Sequence, residues 1–415
     1  MRPRPSLPWA ISALVLTFFA GAPAAQTLGP QAVPPAAQGA PPKIVAGQVM
    51  DRVGTLSDPA QSYPLYLPSA YTPKRQWPVI FAFDPAARGK VPVELFREAA
   101  EKYGYIVAGS NDSRNGPRRE QTTAATAMMA DVQQRFPLDP ARVYAAGFSG
   151  GARMAGLAGF LCHDCIRAVI ACGAGLPDGL SPEQRKHLPA FFFTVGKYDF
   201  NYFDVLDAAR SLPIARVAIF EGAHQWAPPE LAMQAVAWLD AGARDAGVPP
   251  LTALETAERK RQSDLTRHLS LLLNTAETET EDREQDLSDA RRDVAALRAK
   301  RLHATAGEDL AVLRRALGQV FAQTYETSQR LARANKPELA AAFLEVAAAA
   351  VAPDPTLAYE VASAWAAAKD KGRALESLRR AVELGFHDRQ HVDADKNFDR
   401  LRAASEFRAI VATMR

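Results

Sequence analysis

Across residues 43–246, short β-rich runs alternate with helix-like runs, and no other feature constrains the fold as much. Strand-like runs lie at 43–49, 63–67, 78–83, 104–109, 142–147, 167–172, 190–195 and 214–220. Helix-like runs separate most of the later ones, at 91–103, 120–136, 150–160, 200–211 and 229–244. Parallel strands need crossover connections, so this order predicts an α/β fold with a mostly parallel sheet covered on both faces. Pro249-Pro250 marks the end of the alternation. Beyond it, 247–320 reads as a charged helical connection, with acids and bases interleaved from Glu277 to Arg301 and a solvated face. An all-α, helical-repeat-like region then fills 321–415.

The amino terminus carries its own signal. Met1-Arg2-Pro3-Arg4 is basic, Trp9 to Ala20 is apolar, and Ala22-Pro23-Ala24-Ala25 supplies small residues, which together predict a signal peptide over 1–25. The apolar run is too short to span a bilayer, and no cysteine follows the site for lipid attachment. The sequence therefore predicts export to the periplasm or beyond the cell, with no membrane span in the mature protein. Residues 26–42, rich in proline, alanine and glutamine, read as a flexible leader. Removing residues 1–25 takes away two arginines and no acid from a chain of net charge +3, so the mature protein is close to neutral. That balance argues against a nucleic-acid partner. With 415 residues and 48% hydrophobic content, the chain can bury more than one core.

Chemistry concentrates at Gly147-Phe148-Ser149-Gly150-Gly151, which fits the G-x-S-x-G nucleophile elbow. Arg142 to Ala146 before it reads as a short buried strand, and Ala152 to Ala158 after it reads as a helix. A strand-to-helix turn of this kind lifts one hydroxyl above a sheet edge, and the flanking glycines let the backbone approach closely. Two further groups follow in order. Asp199 comes just after the strand-like run 190–195, and His224 just after 214–220. Strand ends in an open parallel sheet line one edge, so residues distant in sequence converge there. Asp199 is preferred to Asp204 and Asp207, because Phe203-Asp204-Val205-Leu206-Asp207 looks helical and leaves those acids at the surface.

On the Gly-x-Ser-x-Gly elbow and the ending Gly222-x-His224-x-Trp226, residues 43–246 resemble the α/β-hydrolase family. Within it they are most similar to esterases and polyhydroxybutyrate-depolymerase-type enzymes. The resemblance implies Ser149 as nucleophile, His224 as general base and acid, and Asp199 as the group that orients the imidazole. It implies no cofactor and no metal. The Gly150 N–H becomes one oxyanion donor. The second normally follows an early strand, here Trp77 to Phe83, which runs into Asp84-Pro85-Ala86. Pro85 has no N–H, so Ala86 is the expected second donor, in a loop that departs from the family pattern. Asp84 would repel an oxyanion unless it points away or is itself hydrogen-bonded. Phe148, Arg114 and Trp226 are the expected substrate contacts, Arg114 from the turn-rich stretch 110–117.

Cys162, Cys165 and Cys172 are too few for a zinc site and fit a structural disulfide, within Cys162/Cys165 or from either to Cys172. Toward the carboxyl terminus the chain resembles a tetratricopeptide repeat. Ala358, Val361, Ala362, Trp365, Ala374, Leu378 and Ala381 alternate small and large, and Asp370-Lys371-Gly372 makes the turn. Residues 322–353 resemble a second, weaker helix pair, and Asp393 to Arg415 a capping helix. Two classes of function follow. One is an exported serine hydrolase acting on a small or polymeric ester, with the helices offered to a protein partner. The other is a hydrolase-like binding or scaffold protein. Within the first, a peptidase or thioesterase would use the same triad.

Overall fold

The computed structural model describes residues 44–244, 248–278, 281–304 and 308–414. The signal peptide and the leader lie outside them. In chain order the elements of the sheet region are β1 (Val49–Gly54), β2 (Ser62–Tyr66), β3 (Trp77–Phe83), α1 (Lys90–Tyr103), β4 (Ile106–Gly109), α2 (Arg118–Arg135) and β5 (Leu138–Phe148). They continue with α3 (Gly150–Leu161), β6 (Ile166–Cys172), α4 (Pro182–Arg185), β7 (Ala190–Gly196), α5 (Tyr202–Arg210), β8 (Ala215–Phe220) and α6 (Pro229–Asp240). Eight strands form one sheet in the order β1-β2-β4-β3-β5-β6-β7-β8. The β1–β2 and β2–β4 pairs are antiparallel, whereas β3–β4, β3–β5 and β7–β8 are parallel. Every residue of β3, β4 and β7 is buried, so both faces of those strands are covered.

The first strand departs from expectation. It begins at Val49, where the sequence reading ended it. Gly47, at φ 79°, turns the chain just before, and its N–H donates to the Leu67 carbonyl at 2.8 Å.

Grouped by their contacts, the residues form two compact units. The first takes the chain up to Val169, with Gly179–Ala190 and Ala232–Ala243. Its polar anchor is Asp131, buried on α2. Its carboxylate accepts from the Tyr63 hydroxyl at 2.6 Å, the Leu56 N–H at 2.7 Å and Arg135 Nε at 2.7 Å. A buried carboxylate is tolerable only with such partners. Burial and the bond to Asp131 push the Tyr63 phenol well up from its ordinary value.

The second unit holds Ile170–Asp178, Phe191–Leu231 and Arg244–Arg415. It adds α7 (Ala253–Thr278), α8 (Arg283–His303), α9 (Glu308–Arg333), α10 (Pro337–Ala350), α11 (Pro355–Ala367), α12 (Lys371–Glu383), α13 (Arg389–Ala394) and α14 (Ser405–Ala412). Helices α7 to α10 share a core that includes Leu269, Leu273, Val294, Leu317 and Phe343. The α11–α12 hairpin buries Val361, Ala362, Trp365, Ala374, Leu378 and Ala381 together in the next core. Asp370 caps α12 by accepting from the Arg373 N–H. The expected single capping helix over Asp393 to Arg415 is instead broken. Asp395 stops α13, caps the short turn Lys396–Phe398, and accepts from the hydroxyls of Tyr359 and Ser363 at 2.8 and 2.6 Å. A side chain so engaged fixes the chain reversal at that point.

Candidate active site

Ser149 is the single residue that joins β5 to α3, with φ 53° and ψ −122°. A serine in that region carries strain of order 1–3 kcal/mol, which the surroundings must over-determine. Here the glycines do so. A methyl group on Gly147 would overlap the Gly151 carbonyl, and one on Gly151 would overlap the Phe83 carbonyl at the end of β3. The strand end, the turn and the first helical turn are therefore in backbone contact. The Ser149 carbonyl accepts from Ala152 and Arg153, which starts α3 directly beneath the hydroxyl. Gly150 is the first residue of that helix, where backbone N–H groups lack intrahelical acceptors.

The loop after β3 shows where the expected second donor points. The Ala86 N–H donates to Asp84 Oδ1 at 2.9 Å, so it is engaged within its own turn. Asp84 is buried, and Arg88 closes on both its oxygens at 2.9 and 3.0 Å. A carboxylate next to a turn satisfies itself locally with the N–H two residues on, and that competition consumes the donor. The same pairing neutralises Asp84. Arg114 is exposed and forms an isolated bridge with Ala86, while the Asn115 N–H donates to the Pro85 carbonyl at 2.8 Å. Asn115 is a residue that the sequence reading passed over. Its carboxamide lies against Gly150, where a methyl group would overlap it. Only its place among turn formers distinguished it in the sequence. Phe148, the last residue of β5, is buried.

In the second unit, Asp199 and His224 meet. Asp199 is inaccessible to solvent, and His224 Nδ1 lies 3.0 Å from both of its carboxylate oxygens. With the carboxylate ionised, Nδ1–H donates and Nε2 is left as the basic nitrogen. The carboxylate also accepts from the Asn201 N–H at 2.8 Å, and the Asn201 side chain donates to the Gly173 carbonyl at 2.7 Å. The loops after β7 and β8 are zipped together. Lys197 N–H donates to the Phe220 carbonyl at 2.8 Å, Tyr198 N–H to the Gly222 carbonyl at 2.9 Å, and the Tyr198 hydroxyl to Glu221. That last bond raises the Tyr198 phenol and lowers the Glu221 carboxyl from their ordinary values. Phe200 lies against the imidazole with ring centroids 4.3 Å apart. The rival acids are otherwise engaged: Asp204 accepts from the Gly175 N–H, and Asp207 pairs with Arg210 and Arg259. Trp226 is half-buried on the segment after β8.

The cysteine alternatives resolve to a Cys162–Cys165 disulfide just after α3. Cys172 is a free, buried thiol at the end of β6, pushed up to about 11 by burial.

No protein-family model matches the sequence, and no curated protein does. Among solved structures the chain is similar to FphF, a fluorophosphonate-binding serine hydrolase of Staphylococcus aureus, at 16% identity and a TM-score of 0.36. That match covers 43% of this chain and 92% of the other. It is similar to Est1E from Butyrivibrio proteoclasticus at 13% identity and a TM-score of 0.38, over 47% of this chain and 99% of that one. An esterase from Pyrobaculum calidifontis matches at 14% identity and 0.39, over 48% and 87%.

Proposed function

We propose that this protein is an exported serine hydrolase of the α/β-hydrolase type that cleaves carboxylic esters through Ser149, His224 and Asp199. The observation that carries the reading is the strained serine held between β5 and α3 by glycines on both sides. Such a turn is costly, and at a strand-to-helix junction it is the geometry that lifts a nucleophilic hydroxyl above a sheet edge. Support comes from the His224–Asp199 pair, in which Nδ1 faces the carboxylate and Nε2 is the basic nitrogen.

The chemistry runs in two halves. The Ser149 hydroxyl attacks the ester carbonyl carbon as His224 Nε2 takes its proton. Asp199 holds Nδ1–H and stabilises the imidazolium that forms. The developing oxyanion is met by the Gly150 N–H at the amino end of α3, where the helix dipole adds favourable potential. His224 returns the proton to the leaving alcohol, which leaves an acyl-enzyme on Ser149. Water, activated by the same imidazole, then releases the acid and regenerates the serine. No cofactor enters these steps. The substrate is a small or polymeric ester. Export follows from the sequence reading of residues 1–25 as a signal peptide.

Labelling by a fluorophosphonate tests this reading. The mature protein should be modified at Ser149, and Ser149→Ala should lose label and lower aryl-ester turnover at least about a thousandfold while staying folded. Ester turnover by Ser149→Ala within tenfold of wild type would sink the assignment. A second reading, a hydrolase-like binding protein, has one observation in its favour: the Ala86 N–H, the expected second oxyanion donor, is engaged by Asp84. That reading predicts neither label nor turnover in the wild-type protein.

A further inference from the structure

We propose that helix α9 positions the Asp199–His224 pair, with Arg315 and Gly318 as the positioning residues; this rests on the serine-hydrolase reading above. Arg315 is almost wholly buried, with 2% of its side chain exposed. Its Nε donates to the Lys197 carbonyl at 2.7 Å, and its Nη1 to Glu258 Oε2 on α7 at 2.7 Å. The guanidinium also lies 3.9 Å from the centre of the Tyr202 ring, at the start of α5. One side chain therefore grips the loop 197–201 at both ends, with Asp199 between them. Burying a guanidinium is costly unless each contact is well made, and its planar fork joins an acid and a carbonyl in a way that an ammonium does not.

Gly318 follows three residues later on the same helix, so it is a neighbour of Arg315 on one face. A methyl group placed there would lie 3.3 Å from Phe200 Cδ1 and 3.5 Å from its Cβ. Phe200 in turn packs on the imidazole of His224. Arg314 lies over the Tyr198 ring at 4.3 Å. The helix thus touches the residues on either side of Asp199, and through Phe200 it bears on His224. A glycine in the interior of a long helix weakens it, and close approach of Phe200 is what this one permits. The charged helical stretch after Pro250 is, on this geometry, the back wall of the catalytic loop.

The test uses the full chain. Gly318→Ala strengthens the helix and presses one methyl on Phe200, so Tm should equal or exceed wild type. Turnover should nevertheless fall, kcat for an aryl ester by about tenfold with KM within twofold, since small misplacements of catalytic groups are costly. Gly318→Leu should deepen the loss to about a hundredfold. Arg315→Lys keeps a cation for Glu258, but its single nitrogen does not span to the Lys197 carbonyl as the arginine's separate Nε and Nη1 do. It should recover most of the Tm lost in Arg315→Met without recovering kcat. The nitrogen spectrum of the His224 imidazole reports its tautomer independently of turnover. Wild type should show Nδ1–H, and Gly318→Leu a mixture of both tautomers. Wild-type kcat in both Gly318→Leu and Arg315→Lys, with an unchanged imidazole spectrum, would overturn the proposal. So would losses of kcat that only track losses of folded protein. A wild-type chain that takes no fluorophosphonate and hydrolyses no ester instead defeats the serine-hydrolase reading, and the imidazole spectra still decide what α9 does.

Discussion

Asn115 and Asp84 show how neighbouring residues divide the work around one serine. Asp84 keeps the Ala86 N–H and both ends of its own charge occupied, while Asn115 sets a carboxamide against Gly150. A carboxamide N–H can donate where a backbone N–H is already spent. The carboxamide atom nearest Gly150 is Oδ1, and a half-turn of the amide presents Nδ2–H in its place, which would make Asn115 the second oxyanion donor. Asn115→Ala should lower kcat by about a hundredfold with little change in KM, and Asn115→Asp should lower it further by placing negative charge beside the oxyanion. Steady-state kinetics on one aryl ester checks this, and a kcat within threefold of wild type for Asn115→Ala would exclude the role. Ser149 was legible in the sequence, because glycines at fixed offsets encode the close backbone approach. Asn115 was not, because an asparagine among turn formers looks the same whether it faces solvent or a helix start.

Among the elements, the α11–α12 hairpin carries the clearest local code. Trp365 is 1% exposed, donates from Nε1 to Glu345 at 2.7 Å, and lies under the Arg373 guanidinium at 4.5 Å. Trp365→Ala removes a large buried ring and leaves a cavity, so it should cost about 3–5 kcal/mol in urea denaturation. A loss below about 1 kcal/mol would mean that the hairpin core collapses to fill the gap. The small-and-large pattern made this hairpin readable. Helices α7 and α8 were harder to read, since their charged faces dominate the sequence. Only their buried positions, Leu269 and Leu273 on one and Val294 and Leu297 on the other, reveal packed helices rather than a solvated connection. A sparse apolar stripe has the same composition whether or not a partner covers it.

At the scale of the molecule, contacts gather residues 191–231 with the carboxyl-terminal helices rather than with the first five strands. Cooperative opening follows such groupings. Hydrogen exchange of the full chain should show peptides over 197–203 opening together with those over α9, 308–333. Exchange of 197–203 in step with β3 and β5 instead would contradict that coupling. By itself, the sequence determined the α/β alternation, the strand bounds to within a few residues after the first strand, and the order Ser149, Asp199, His224. These are local properties, written in periodicity and in glycines and turn residues adjacent in the chain. The helix expected from 322 instead starts at Glu308 and runs through the expected boundary at 320. Tertiary structure alone decided that Ala86 is spent on Asp84 and that Cys162 pairs with Cys165. It also decided that a buried arginine on α9 holds the loop after β7. The hydrogen bonds among these turn on which of several chemically equivalent groups comes within about 3 Å, and the disulfide on which thiols the fold brings together.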